Sequence, residues 1–297
     1  MRSSLGMILS LALLVPALGA YAQSVETVDA AGCILRGFVT YVQLTEGFWQ
    51  VWVADLESGS FKQVTHSPSD KRYPRWHKGA SSIVFRTAGS EVFGVDPETG
   101  GETQLYPTLG RMLDIRFSPD GKKAAFARIR ENVVDDVDLW LLEEGHDEAE
   151  LLVSEAGLQY APAWSPDGSK IVFVSGQGHN THELVLMNLA TREQRKLTVN
   201  QSYDVAPVFS PDGRRIFFSS NRTGDYELWE LEPDTGETRQ LTQAPGLDID
   251  PVFSPDGEWL AYTRAEEGEM KIALMCLRGH STRILETKSE ARDPDWR

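Results

Sequence analysis

The chain has 297 residues, of which 41% are hydrophobic, and its 44 acidic and 29 basic residues give a net charge of −15. This composition supplies enough apolar side chains for a buried core and excludes an acidic disordered tail. The charge argues against nucleic-acid binding, because such a face must neutralise phosphates with Lys and Arg. Two cysteines are too few for a disulfide-dense scaffold, and neither belongs to a C-x-x-C zinc motif.

Residues 1–22 have the pattern of a secretory signal peptide. Arg2 is the only charged residue there, a largely apolar run follows, and Ala20-Tyr21-Ala22 forms a small-x-small cleavage pattern. The apolar run is short for a membrane span, although an uncleaved anchor is the alternative. Cleavage would leave a chain of charge −16. We expect a periplasmic or secreted protein with no membrane-spanning segment after cleavage.

A repeat organises the rest of the chain. An aromatic anchor recurs at intervals of 41 to 47 residues, in three copies within the pattern P-x-[F/W]-S-P-D-G and in a fourth within IRFSPDG. This is the period of a four-stranded propeller blade, and each copy predicts four short strands separated by turns. The anchors are Trp76, Phe117, Trp164, Phe209, Phe253 and Trp296. The sequence therefore predicts an all-β fold, a six-bladed β-propeller over residues 37–297, preceded by an N-terminal segment of residues 23–36.

The Ser-Pro-Asp-Gly motif within the repeat predicts a tight turn. Proline fixes φ, aspartate accepts hydrogen bonds from the neighbouring backbone, and glycine supplies a positive φ. The aspartates and glycines of these turns are Asp120, Gly121, Asp167, Gly168, Asp212, Gly213, Asp256 and Gly257. Because the same residues recur at equivalent positions, we interpret them as structural.

The two ends of the repeat region complement each other. The first blade has no anchor before its strands at residues 37–43, 50–56 and 61–65, whereas a surplus anchor lies at Asp293-Pro294-Asp295-Trp296. We expect the C-terminal strand to insert as the innermost strand of blade one, which closes the ring and removes exposed sheet edges. A ragged final repeat is the alternative.

The clearest copy of the repeat, PVFSPDGRRIFFSSNRTGDYELWELEPDTGETRQLT at residues 207–242, resembles the propeller repeat of the TolB family. The resemblance covers residues 37–297 and implies a periplasmic six-bladed propeller that docks a peptidoglycan-associated lipoprotein and is not an enzyme. TolB proteins also carry an N-terminal α/β domain. Only about 14 residues separate the expected cleavage site from the propeller here, so we expect that domain to be absent.

The residues just before the innermost strands are expected at one mouth of the central channel. The candidates there for binding a partner or a cation are Tyr73, Asp114, Asp250 and Asp293, with Ala161 and Ala206 at the equivalent positions. Ring closure would bring Asp250 and Asp293 together, and paired carboxylates attract a basic segment or a cation such as Ca²⁺. The alternative is that each Asp accepts hydrogen bonds from backbone N–H groups.

Two further residue pairs have alternative interpretations. His179 and His182 share a loop and would bind a metal if a neighbouring blade supplied a third ligand, whereas solvated loop histidines are the alternative. Cys33 and Cys276 are expected on the turn-bearing face of adjacent blades, where either a disulfide or two free thiols fits an exported protein.

The sequence carries no G-x-S-x-G nucleophile motif, phosphate loop or complete metal-ligand set, so no catalytic residue and no cofactor apart from such a cation is predicted. This favours an exported, non-catalytic scaffold for protein–protein interaction. Its expected partner is an envelope protein, either a lipoprotein or one with a basic segment. The alternatives are an exported carbohydrate lyase or hydrolase with a site in the channel mouth, and a sensor of a small ligand or cation.

Overall fold

The computed structural model describes residue 29 and residues 31–77, 81–107, 109, 111–129, 136–146, 148–176 and 181–297. The regular structure of these ranges consists of β-strands. No helix of the described residues has the length and apolar composition that crossing a bilayer requires. The all-β prediction is therefore confirmed for this part of the chain, whereas the expected signal peptide lies outside it.

The described residues form 24 strands. The first eight are β1 (Phe38–Thr45), β2 (Phe48–Asp55), β3 (Ser60–Gln63), β4 (Lys71–His77), β5 (Ser82–Thr87), β6 (Val92–Val95), β7 (Glu102–Leu105) and β8 (Met112–Phe117). The next eight are β9 (Lys123–Ile129), β10 (Val137–Glu143), β11 (Glu150–Val153), β12 (Leu158–Trp164), β13 (Lys170–Gly176), β14 (His182–Asn188), β15 (Gln194–Lys196) and β16 (Asp204–Phe209). The last eight are β17 (Ile216–Ser220), β18 (Glu227–Leu231), β19 (Thr238–Gln240), β20 (Leu247–Phe253), β21 (Trp259–Glu266), β22 (Glu269–Cys276), β23 (Thr282–Ile284) and β24 (Ala291–Trp296).

Hydrogen bonding groups these strands into four four-stranded sheets and one eight-stranded sheet. The four-stranded sheets have the orders β24-β1-β2-β3, β4-β5-β6-β7, β16-β17-β18-β19 and β20-β21-β22-β23. The eight-stranded sheet contains β8 to β15 and is joined where Val137 of β10 bridges Leu158 of β12 in parallel. This bridge merges two groups of four strands into one sheet, so four of the six expected groups are separate four-stranded sheets and two are joined.

The C-terminal strand pairs with the beginning of the described fold. β24 runs antiparallel to β1, with Trp296 opposite Val39 and Ala291 opposite Gln43. β24 thereby covers the edge of β1 that β2 leaves open, so that strand edge is not available for pairing with another chain.

Burial follows from how the sheets stack. The second strand of a sheet is buried on both faces, as in β13, whereas the outermost strand is short, polar and exposed, as in β15. Neighbouring sheets pack through apolar side chains, for example Val172 and Val174 of β13 against Ile216 and Phe218 of β17. The apolar core therefore lies between successive sheets, as the repeat predicts.

The segment before β1 is fastened to the last sheet. Cys33 and Cys276 form a disulfide whose Cα atoms are 6.2 Å apart. Asp29 accepts hydrogen bonds from the backbone N–H groups of Ala31 and Cys33 at 3.0 and 2.8 Å, and from the hydroxyl of Ser281. This tether connects the N-terminal segment to the β22–β23 turn.

Candidate functional site

One strand from each group of four lines a central cavity of about 1120 Å³. These six inner strands are β4, β8, β12, β16, β20 and β24, and each packs against the next, with β24 also against β4. They contribute the residues at the predicted channel mouth and the aromatic anchors, so the cavity is the site to which the sequence argument points.

Each inner strand contains a β-bulge at the same place, where its register against the second strand shifts. The bulged residue has a positive φ of 48–57° in all six strands, although none is glycine. We call these the rim positions: Tyr73, Asp114, Ala161, Ala206, Asp250 and Asp293. A left-handed conformation costs a residue with a Cβ roughly 1 kcal/mol or more, so the surrounding fold imposes it whatever the side chain.

Five of the six rim residues line the cavity, and Asp293 is the exception. Asp293 is 5% exposed, and its Oδ2 accepts a 3.3 Å hydrogen bond from the backbone N–H of Tyr73. Its own backbone N–H donates to the hydroxyl oxygen of Thr263 at 3.0 Å. Asp293 therefore accepts a hydrogen bond from a backbone N–H group, which is the alternative considered for the rim aspartates. Its carboxylate does not line the cavity.

Asp114 and Asp250 differ from Asp293 in their surroundings. Both line the cavity, and neither carboxylate has a hydrogen bond or ion pair with the rest of the described chain. Burial and the neighbouring charge of Asp293 raise the pKa of Asp250 to about 6, against the opposing effect of Arg75 and Arg116. Burial and the nearby carboxylates likewise raise the pKa of Tyr73 to about 12.

Two residues further along each inner strand lies a second set of side chains, which we call the second positions. They are Arg75, Arg116, Ala163, Val208, Val252 and Asp295. Sequence analysis did not single out Arg75, Arg116 or Asp295. The signal was present, because each occupies the variable place before the aromatic anchor where three other copies of the repeat have Ala or Val.

The charged second positions are held by backbone groups. Arg75 is 6% exposed, and its Nη1 donates to the carbonyl oxygens of Pro74 and Pro294 at 3.0 and 2.9 Å. Asp295 Oδ2 accepts a 2.7 Å hydrogen bond from the backbone N–H of Trp76. Burial raises the pKa of Asp295, whereas burial and the charge of Arg75 lower the pKa of Arg116 to about 10.

The Ser-Pro-Asp-Gly turns lie at the far end of the inner strands. In each, the Ser hydroxyl donates to the Asp carboxylate at 2.6 Å, and the glycine has a φ of 71–76°. The paired residues are Ser118 and Asp120, Ser165 and Asp167, Ser210 and Asp212, and Ser254 and Asp256. These hydrogen bonds lower the pKa of Asp120, Asp167 and Asp212. The turn residues use their polar groups on one another, as a structural role requires.

His182 lies beside the cavity and not on an open loop. Its Nδ1 is 2.6 Å from the hydroxyl of Tyr160, and its ring packs against Tyr203 with centroids 4.6 Å apart. Burial lowers the pKa of His182. It belongs to no cluster of three potential metal ligands within the described residues, and His179 lies outside them.

A family model described as the TolB β-propeller domain matches residues 111–297. The chain belongs to this family. A relative described as a TolB homologue from Chlorobium luteolum is 28% identical over 262 residues, which is 87% of this chain and 59% of the relative. The chain thus spans about three-fifths of that relative's length. The TolB resemblance inferred from residues 207–242 is confirmed at the level of the family.

Solved structures share the fold of this chain. TolB from Acinetobacter baumannii superposes with a TM-score of 0.75 at 22% identity, covering 88% of this chain and 66% of that one. An oligogalacturonate lyase in complex with manganese gives a TM-score of 0.57 at 17% identity, covering 83% of this chain and 73% of that one. At these identities both structures support the propeller fold alone.

Proposed function

We propose that this protein is an exported scaffold that docks a partner through the rim of its cavity, and that the group recognised there is a cationic side chain. The observation that carries the proposal is the pair Asp114 and Asp250, two carboxylates that line the cavity without a protein partner among the described residues. The Tyr73 ring in the same rim already has Arg86 packed over it at 5.3 Å from the centroid, so the two carboxylates carry the recognition of a cation.

The architecture that we propose for this scaffold is six blades closed by β24. The single parallel bridge in the eight-stranded sheet would then join two blades of four strands each. Support comes from the six bulges, which recur once in every group of four strands with nearly the same φ. The pairing of β24 with β1 supports closure of the ring. A closed ring explains why one cavity is lined by all six inner strands.

The proposed location is the periplasm or the outside of the cell, after removal of residues 1–22. The apolar run before Ala20-Tyr21-Ala22 supports this location, and so does the disulfide between Cys33 and Cys276, because disulfides persist in oxidising compartments. A relative from Alcanivorax borkumensis, 35% identical over 81 residues, is described as a Tol-Pal system protein. We therefore propose an envelope protein, such as a lipoprotein, as the partner.

A second candidate function is enzymatic, of the carbohydrate lyase or hydrolase type. The observation that favours it is the Tyr160–His182 contact of 2.6 Å beside the cavity, since a phenol hydrogen-bonded to an imidazole is a proton-transfer pair. Acidic and neutral oligosaccharides incubated with wild-type protein and with Tyr160→Phe would test it. Turnover by the wild type that the variant lacks would favour catalysis over scaffolding.

The experiment for the scaffold is a pull-down from an envelope extract with immobilised protein. Asp114→Asn/Asp250→Asn should lose the captured partner, because both carboxylates become neutral without a change in size. The control is Glu57→Gln/Glu237→Gln, which removes the same charge at exposed positions away from the cavity. If a chelator abolishes capture of the partner by the wild-type protein, the rim would be assigned to a cation such as Ca²⁺. Equal capture by all three proteins would overturn the proposal.

A further inference from the structure

The second positions hold two positive charges, buried Arg75 and half-buried Arg116, that the rim proposal does not use. Arg75 and Arg116 both line the cavity, and each guanidinium has five N–H donors. Within the described residues, Arg75 donates only through Nη1 to two carbonyl oxygens, and Arg116 only through Nη1 to the carbonyl oxygen of Ile115 at 3.1 Å. Most of their donors therefore have no protein acceptor.

The nearby carboxylates do not pair with these arginines. Among the described residues no carboxylate oxygen lies within 4.0 Å of either guanidinium. Asp295 directs an oxygen to the backbone N–H of Trp76, and Asp293 directs one to the backbone N–H of Tyr73. Arg75 is only 6% exposed, yet no nitrogen of Arg75 or Arg116 is a sealed polar atom without a partner, so their remaining N–H groups open onto the cavity. An anion in the cavity would supply the missing acceptors.

The position of the arginines separates them from the acidic rim. Strands rise about 3.3 Å per residue, so the second positions lie about 6–7 Å along the inner strands from the rim, towards the Ser-Pro-Asp-Gly turns. On that side the cavity is lined mainly by aromatic rings and prolines. They are Trp76, Phe117, Trp164, Phe253, Trp296, Pro119, Pro166, Pro211 and Pro255.

This surrounding selects among anions. The hydroxyl groups of Ser118 and Ser254 also line the cavity, but they already donate to Asp120 and Asp256. Ser81 and His77 also line this end, and few other polar groups remain for the hydroxyls of a sugar. The carboxylates of the rim and of Asp295 disfavour a dianion such as phosphate more than a monoanion. The remaining fit is a single carboxylate on an apolar or aromatic body.

We propose that Arg75 and Arg116 form a binding site for an organic carboxylate whose apolar body packs among the aromatic rings and prolines towards the turns. A guanidinium presents paired N–H groups that match the two oxygens of a carboxylate. Such a ligand comes from two sources, the C-terminus of a chain ending in an apolar residue or a free aryl or alkyl acid. Both present the same chemistry to the arginines.

The test measures binding of 3-phenylpropionate and of N-acetyl-Ala-Phe by calorimetry, each beside its uncharged amide. The acids should bind at least about tenfold more tightly than their amides, since only the acids accept charge-assisted hydrogen bonds from both arginines. Tighter binding of the dipeptide acid assigns the site to chain termini, and tighter binding of phenylpropionate assigns it to free acids. The proposal would be overturned if neither acid binds at a ligand concentration of about 5 mM. Equal affinity for an acid and its amide would overturn it as well.

Arg116 is the better residue for substitution, because Arg75 also holds the backbone of β24. Arg116→Gln should weaken acid binding at least about tenfold and leave amide binding unchanged. Arg116→Lys keeps the charge but loses the paired donors. The affinity of this variant for the acids should therefore lie between those of the wild type and of Arg116→Gln. Asp250→Asn should strengthen acid binding, opposite to its effect on a cationic partner, which separates this site from the proposed rim function. Acid affinity unchanged in folded Arg116→Gln, judged by its melting temperature, would refute the site.

Discussion

The two ends of the inner strands follow opposite rules. At the turn end the same residues recur, and Ser and Asp satisfy each other at 2.6 Å in all four complete turns. At the rim the backbone is equally constant, with a positive φ in all six strands, yet the side chains are tyrosine, alanine and aspartate. The fold therefore needs the conformation of the rim but not its side chains, and this leaves the side chains free to serve binding.

The difference has an electrostatic side as well. Turn carboxylates accept several hydrogen bonds, and the pKa of Asp167 falls to about 2 because it bonds Ser165 and Ser169. The rim carboxylate of Asp250 has no such bonds, and burial beside Asp293 raises its pKa to about 6. Negative charge thus stabilises the fold at the turns and destabilises it at the rim. A destabilising charge that a fold retains is a reasonable indicator of a binding role.

The largest expected effect is on the fold that both ends share. Deletion of residues 291–297 should abolish cooperative thermal unfolding, because it removes β24 from the edge of β1 and buried Trp296 from the core. Circular dichroism melts would show this. Arg297→Ala is the control, since it keeps β24 and the two backbone hydrogen bonds between Arg297 and Phe38. A truncated protein with an unchanged melting temperature would show that β24 is not needed.

The disulfide should have the next largest effect. Cys33→Ser should lower the free energy of unfolding by about 2–4 kcal/mol, because the bond constrains the unfolded chain across a long loop. Urea denaturation with and without reductant would measure the change. The variant itself should not respond to reductant, which controls for other effects of the reagent. Identical midpoints for wild type and variant would contradict a stabilising tether.

Asp250→Asn should stabilise the protein above pH 6. The raised pKa means that the folded state binds this proton more tightly than the unfolded state, so wild-type stability falls as pH rises from about 4 through 6. The variant lacks this loss and should be more stable at pH 7.5 by about 1–2 kcal/mol, after allowing for partial solvent screening. Urea denaturation at pH 4.5 and pH 7.5 checks the sign. A variant less stable at pH 7.5 would contradict the account of the rim.

Asp167→Asn should change the stability of the protein in the opposite direction to Asp250→Asn, and by a smaller amount. The Ser165 hydroxyl and the Ser169 backbone N–H lose a charged acceptor, at a cost of about 1 kcal/mol near pH 7. Because the pKa is lowered in the folded state, this contribution is present above pH 4 and disappears as pH falls towards 2. If urea denaturation at pH 7 gives the variant and the wild type the same free energy of unfolding, the contrast between turn and rim carboxylates would be contradicted.

The smallest effect tests the backbone of the rim. Ala206→Gly should stabilise the protein by about 0.5 kcal/mol, because relief of the left-handed strain exceeds the entropy that glycine gains when unfolded. The matched control is Ala163→Gly, two places beyond rim residue Ala161, where φ is not positive and the same substitution should destabilise. Equal changes at both positions would contradict imposed strain at the rim.

Much of this architecture follows from the repeat. The spacing of the aromatic anchors predicts the strands and their order within each group, and Asp293-Pro294-Asp295-Trp296 predicts the strand that pairs with β1. The merging of two groups through Val137 and Leu158 had no sequence signal, since it depends on one contact between neighbouring groups. Local chemistry and not periodicity decides such a bridge.

The candidate site was predictable only in part. The rim positions follow from the phase of the repeat, but which carboxylate faces the cavity does not. Asp293 turns to the N–H of Tyr73, whereas Asp250 stays without a described partner. Arg75 and Arg116 were hidden in the variable place of the anchor motif, where three of the six copies have Ala or Val. Comparing copies at the places where they disagree would have revealed them.

Calorimetric titration of the protein with the peptide acetyl-Gly-Arg-Arg-Gly-amide tests the central claim about the rim most directly. At pH 7.5 the wild type and the control Glu57→Gln/Glu237→Gln should bind the peptide alike. Asp114→Asn/Asp250→Asn should bind it at least about tenfold more weakly, and wild-type affinity should fall when the pH is lowered from 7.5 to 5 because Asp250 becomes protonated. Equal affinity of all three proteins, or no dependence on pH, would contradict the account.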